Sequence, residues 1–455
     1  MTFRVVDPAT GAEGDSFDLH DDAATDAALA AATLAQRAWG DRDFGARRRV
    51  LGAVADRLRG DTDRWARRMT AEMGKPIDQS RSEIEKCAWV CDYYAENAEP
   101  FLAPVEAETD ASRSYWVHQP LGTILGIMPW NFPHWQVFRF AAPTLMAGNA
   151  VLLKHAPNVP GCAEDIAEIF HSAGLPDGLF TNLRLDNDQI SEWMADDRIA
   201  AVTLTGSVRA GKAVASRAGG LVKKTVLELG GSDPYLILED ADLDHAAERC
   251  VTSRMINSGQ SCIAAKRFIA LDGVHDAFVE RVVERMGSYE MGEPRDESTK
   301  LGPMARADLR DEVHRQVEAS IDAGARCALG GEIPDRAGAW YPATVLTGVT
   351  PEMPAGSEEV FGPVASVLRA PDQETAIEWA NATRYGLGAA VFTDDVERGE
   401  RIARERLEAG ACFVNDFVRS HPHLPFGGIR ESGYGRELSP LGIREFVNRK
   451  TVWVR

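Results

Sequence analysis

Residues 121–155 read LGTILGIMPWNFPHWQVFRFAAPTLMAGNAVLLKH, and they decide the fold class. TILGIM (123–128) is an unbroken apolar run, the pattern of a strand buried on both faces. PWNFP ends it, because two prolines pin the backbone and leave a rigid loop. A helix is predicted near 135–147, and AVLLK (150–154) is the next strand. Beyond it, CAEDIAEIFHSAG predicts a helix and LFTNL and AVTLT (201–205) predict strands. The stretch after Gly206 then predicts a helix and TVLEL (225–229) a strand. Strand–helix–strand repetition at this spacing predicts an α/β fold, a parallel sheet covered by helices on both faces. After Gly230-Gly231 a second unit opens with YLIL (235–238) and a helix from about Asp242 to Met255, and the alternation runs on to about residue 415.

Upstream, residues 21–58 read as helices. DDAATDAALAAATLAQRAW is alanine-rich behind an aspartate cap, and RRRVLGAVADRLR repeats its apolar positions at three-to-four spacing. SYWVH (114–118) and KTVWV (450–454) alternate like strands but fit neither sheet by position. They need a shared home in an arm or a subunit contact.

Composition excludes several classes. With 44% hydrophobic and 26% charged residues, the 455-residue chain is not disordered and has material for more than one core. No run approaches the ~18 to 20 apolar residues of a spanning helix, so no membrane partner is expected. MTFRVVDPATGAEGD has neither an apolar h-region nor basic amphipathic character, so a cytoplasmic location is expected. Fifty basic against sixty-nine acidic side chains leave a net charge of −19, the wrong sign for reading nucleic acid. Only nine of the basic residues are lysines, and aspartates abound, a balance suited to a salt-rich interior that screens self-repulsion. Seven scattered cysteines without a C-x-x-C pair argue against a disulfide framework and a zinc site; no metal is expected.

Three features could carry chemistry. GSVRAGKA (206–213) nearly matches a phosphate loop, but Ala213 lacks the hydroxyl that would ligate magnesium. Gly206 and Gly211 still allow close approach of a dinucleotide phosphate or ribose, a reading favoured over an NTPase. In NSGQSC (257–262), Cys262 follows a helix and a glycine turn, where backbone amides can stabilise an oxyanion. No histidine lies nearby, which speaks against a Cys–His hydrolase, so thiolate chemistry needs another base. Glu228 closes an apolar strand, where a carboxylate is costly and its pKa should rise toward that of a useful base. Asn131, pinned between Pro129 and Pro133, can donate an amide hydrogen bond to an oxyanion.

Together these pieces resemble the aldehyde dehydrogenase superfamily. PWNFP, the lysine of LLKHAP, TGSVRAG, LELGG, GQSC, EEVFGP and PFGGIRESGYGRE stand in family order across nearly the whole chain. LLKHAPNV, TGSVRAG and LELGGSDP are most similar to the bacterial succinate-semialdehyde dehydrogenase group. The resemblance implies a Rossmann-type cofactor domain (1–107 and 123–228), a catalytic domain (229–420) and a bridging, oligomerising segment (108–122 and 436–455). It implies a homodimer or homotetramer, an aldehyde substrate, and NAD or NADP as cofactor. Cys262 would attack the aldehyde, Asn131 and the Cys262 N–H would hold the oxyanion, and Glu228 would activate water against the thioester. Lys154 would bind the adenosine ribose, Gly206, Ser207 and Gly211 would lie along the pyrophosphate, and Glu359, Phe361 and Trp130 would hold the nicotinamide end. Arg139 would grip a substrate carboxylate, with Ser420 and His421 beside it; the alternative for Arg139 is a salt-bridged helix arginine. Two positions depart from the pattern. Pro157 replaces a glutamate that repels a 2′-phosphate, and Ile256 replaces a second arginine, which leaves another semialdehyde or a neutral aldehyde open as substrate.

Overall fold

The computed structural model describes residues 2–455, and two mostly parallel sheets dominate it. The first runs, in spatial order, Gly433–Tyr434, Lys224–Glu228, Ile199–Thr205, Thr123–Met128, Ala150–His155 and Phe180–Asn182. All its neighbours are parallel except Gly433–Tyr434, which returns from the tail to run antiparallel to Lys224–Glu228. The second runs Arg326–Leu329, Thr344–Thr347, Val364–Ala370, Ala265–Leu271, Asp233–Ile237, Gly388–Phe392 and Ala411–Val414, parallel except at its first pair. Their central strands are buried almost throughout, as the apolar runs predict.

The helices expected at 21–58 form as Asp22–Gly40 and Phe44–Gly60, each opened by an aspartate whose carboxylate accepts a first-turn N–H. Two more helices form, Thr62–Met73 and Ile77–Leu102, and the second holds Cys87 and Cys91, whose four-residue spacing fits a helix. The helix Trp135–Met146 is buried along its whole length. The tip of the Phe140 ring packs against Gly126 of the strand Thr123–Met128, where a Cβ would collide with it. Its N-terminus is capped from Ile77–Leu102: Glu83 accepts the His134 and Trp135 N–H groups, both at 2.9 Å.

The two orphan strands find each other. Arg113–Pro120 pairs antiparallel with Val447–Val454, Trp116 opposite Thr451, and Val105–Glu106 adds a third strand. Val447–Val454 is left as an edge with Trp453 half exposed. Among the described residues, no helix is long and apolar enough to cross a membrane.

Candidate active site

The loops at the carboxyl edge of the first sheet converge, the edge where open parallel sheets bind ligands. Met128 leads through Pro129 and Trp130 to Asn131, Thr205 leads to Gly206 and Ser207, and Glu228 ends its strand in register with Thr205. Cys262 reaches this edge from the other side, after the short turn Ile256–Gly259 that follows the helix Leu243–Met255.

That turn is strained and held. Asn257, Ser258 and Gly259 take φ of 56°, 52° and 75°, three left-handed residues in succession. Gly259 has no alternative, since a Cβ there would run into the Gly362 carbonyl. Side chains cross-link the turn to the PWNFP loop. The Asn257 amide donates to the Asn131 carbonyl at 2.6 Å and to that of Gln260 at 3.1 Å. The Asn131 amide donates to the same Gln260 carbonyl at 3.0 Å, which leaves it one N–H free. Two buried cations tie down the remaining carbonyls. Arg254 donates to Gly259, and Lys266 donates to Ser261 at 3.0 Å and Cys262 at 2.6 Å. The backbone around the cysteine is thereby fixed from both units, which is the preorganisation an oxyanion site needs. The Cys262 N–H has no acceptor among the described residues.

Two cavities meet at this cysteine. The larger, about 330 Å³, is walled by Phe132, Trp135, Phe417 and Phe426 and by the cations Lys86, Arg139 and Arg419. The smaller, about 180 Å³, is lined by Trp130, Asn131, Gly206, Ser207, Glu228, Glu359 and Phe361. Cys262 and Gln136 belong to both walls.

Burial governs the proton affinities. The Cys262 thiol is pushed up to about 12 by loss of hydration, with Lys266 and then Arg139 opposing. At neutral pH it is a thiol, so its proton must be removed as it attacks. Glu228 is only 3% exposed and lies well above the usual carboxylate range, through burial first and the Glu437 carboxylate second. Neither of its oxygens has a partner among the described residues, although both are shielded from water. A buried, unpartnered carboxylate on the same wall as a thiol is poised to take and return a proton. Glu437, which the sequence reading did not single out, is buried beside it and ion-paired to Arg139. It sits in the GYGRE run, where one more acidic residue gave no signal.

The remaining expected residues divide. Trp130 and Phe361 meet edge to face at 5.9 Å, and Glu359 accepts the Gly231 N–H at 2.9 Å. The Ser207 side chain caps the helix Val208–Gly220 by accepting the Ala210 N–H at 3.3 Å. Gly211 lies inside that helix and off the wall of the cavity; a Cβ there would meet Leu229, so it serves helix–strand packing. Lys212 is exposed and bound to Glu431 at 2.6 Å, so the near phosphate loop does not turn its lysine inward. Lys154 is the penultimate residue of Ala150–His155, three strands across the sheet from Lys224–Glu228, buried beyond the wall of the smaller cavity, its pKa lowered by burial. Arg139 and Ser420 line the larger cavity, but Arg139 carries Glu437 as its counter-ion and lies 4.6 Å from the Phe426 ring centre. His421 stands outside that wall, edge-on to Trp89 at 4.7 Å, and its Nδ1 accepts the His423 N–H at 3.3 Å. Lys86 was not anticipated at all.

Comparison with known proteins identifies the family. Residues 1–452 match the aldehyde dehydrogenase family. A probable succinate-semialdehyde dehydrogenase (NADP(+)) of Synechocystis sp. is 49% identical, with 100% of both chains covered. A succinate semialdehyde dehydrogenase (NAD(P)+) of Escherichia coli is 50% identical over 94% of this chain and 92% of its own. Among solved structures, succinic semialdehyde dehydrogenase from Streptococcus pyogenes in complex with NADP+ superposes with a TM-score of 0.97, at 39% identity and 99% coverage of each chain.

Proposed function

This chain belongs to the aldehyde dehydrogenase family, and we propose that it oxidises succinate semialdehyde to succinate with a nicotinamide dinucleotide, NADP by preference, as electron acceptor. The observation that carries the reading is that Cys262 stands in the common wall of two cavities, one aromatic and cationic, the other lined by glycines and carboxylates. The smaller cavity fits a nicotinamide nucleotide. It offers aromatic rings for the base, the unpartnered edge of a helix-opening turn, and the Glu359 carboxylate for ribose hydroxyls. When bound there, the cofactor supplies the hydride acceptor.

The protein's own residues do the rest. The Cys262 sulfur adds to the aldehyde carbon as its proton is lost to solvent in the cavity, giving the anion of a thiohemiacetal. The oxyanion is met by the free Asn131 N–H and the Cys262 N–H, both fixed by the cross-linked turn. Loss of hydride leaves a thioester on Cys262. Glu228 then takes a proton from water as it attacks, and the thiol is restored with release of the carboxylate. Gln136, on both walls, helps to keep the two compartments contiguous at the sulfur.

Four features support the finer assignments. Relatives at 49 and 50% identity carry the succinate-semialdehyde name with NADP(+) or NAD(P)+, and Pro157 offers no carboxylate to repel a 2′-phosphate. The exposed edge Val447–Val454 suits a homodimer or homotetramer, and the −19 net charge suits a salt-rich interior. The test is reduced-nicotinamide formation from succinate semialdehyde with NAD and NADP separately, in low and high salt. Cys262→Ala is the control. Activity that survives in the variant, or that appears with no aldehyde of this class, overturns the reading.

A further inference from the structure

We propose that Lys86, held in place by its hydrogen bond to the Ser420 hydroxyl, recognises the carboxylate at the far end of the substrate and so sets the preference for an acidic aldehyde. This rests on the reading of the larger cavity as the aldehyde's compartment. Three cations line that cavity, and two of them are already neutralised. Arg139 is ion-paired with the buried Glu437, and its guanidinium faces Phe426. Arg419 is half exposed and bound to Asp416 at 2.8 Å. The one carboxylate on the wall, Glu83, is committed to Lys75 and to two N–H groups of the helix Trp135–Met146.

Lys86 differs from all of these. Its ammonium donates to Ser420 Oγ at 2.8 Å and lies 4.3 Å from the Trp135 ring centre, and no carboxylate comes within ion-pair distance among the described residues. An ammonium has three N–H bonds, so two remain to be satisfied. Desolvation brings its pKa down to about 8, with Arg139 the next cause, the signature of a cation that lacks its counter-charge. A bound carboxylate would supply that charge. Lys86 comes from the helix Ile77–Leu102 and Ser420 from the loop after Val418, so the two close on the cavity from separate elements. The aromatic walls between them and Cys262 suit a short methylene chain.

The test compares wild type, Lys86→Met and Lys86→Arg with succinate semialdehyde and with butanal, a neutral aldehyde of equal length. Removing a charge-assisted hydrogen bond should raise KM for succinate semialdehyde ~10- to 100-fold in Lys86→Met. Its kcat, and kcat/KM for butanal, should hold within about threefold, and Lys86→Arg should recover most of the loss. Succinate should inhibit butanal oxidation competitively, and its inhibition constant should rise by the same factor. Equal losses on both aldehydes would make Lys86 structural and overturn the proposal. An acid-to-neutral preference that survives Lys86→Met would overturn it while leaving the proposed function standing. A wild type with no such preference would remove both.

Discussion

The two cavities that share Cys262 are built from opposite materials. The smaller has carboxylates, Glu228 and Glu359, on backbone-rich turns at the end of a sheet. The larger has cations and aromatic rings, of which Lys86, Trp135 and Arg139 project from helices and the rest from loops. The contrast separates acid–base chemistry from charge recognition. A base works when it is buried and free to change protonation, whereas an anchor works when it keeps its charge and meets an opposite one. The difference predicts two kinds of variant. Changes on the chemical side should slow every aldehyde alike; changes on the recognition side should discriminate between acidic and neutral ones.

The strongest way to break the comparison is at the shared wall. Cys262→Ala should lower turnover on the order of 10⁴-fold or more for both aldehydes, while Cys412→Ala, in the second sheet, should leave it unchanged. Steady-state assays of the two variants check this. Next comes the base. Glu228→Gln should slow steady-state turnover about 10²- to 10⁴-fold while pre-steady-state measurements still show a burst of reduced cofactor. Because the Glu228 pKa is raised and the ionised form is the active base, wild-type turnover should climb with pH above the usual carboxylate range. That limb should vanish in the variant, and a limb that persists would assign the titration elsewhere.

A smaller loss is expected at the oxyanion donor. Asn131→Ala should reduce kcat about 10²- to 10³-fold on both substrates, with KM values little changed. A selective loss on succinate semialdehyde would place Asn131 in recognition instead. The mildest kinetic effect belongs to Arg139, whose charge Glu437 already meets. Arg139→Met should destabilise the fold by about 3–5 kcal/mol in urea unfolding by stranding a buried carboxylate. The double variant Arg139→Met/Glu437→Gln should regain much of that. A large, substrate-selective KM effect without loss of stability would return Arg139 to the carboxylate site.

These contrasts follow how legible each side was in the sequence. The chemical side sits on apolar runs that end abruptly, TILGIM before PWNFP and TVLEL before Gly230, so the strand ends and their functional residues could be read directly. The same runs predicted the parallel sheets, and SYWVH and KTVWV were visible as strands in need of a partner. The recognition side was largely hidden. Gln79, Ser82, Glu83 and Lys86 recur at three-to-four spacing on Ile77–Leu102, a polar stripe that reads as a wet helix face. In the folded chain it walls a cavity. Arg139 was legible as a cation, with a salt-bridged arginine as its alternative, but its partner was not, because Glu437 lies 298 residues further on. Gly211 shows a second reason for a glycine in a phosphate-loop pattern, since a Cβ there would meet Leu229.

The central claim is that Cys262 carries the acyl group between the two cavities. Glu228→Gln, mixed with succinate semialdehyde and NADP and quenched in acid, should trap that species for peptide mass spectrometry. The account predicts a succinyl group on the peptide containing Cys262, formed only when the cofactor is present. Turnover without any such adduct, or an adduct on Cys412 or another cysteine instead, would contradict it.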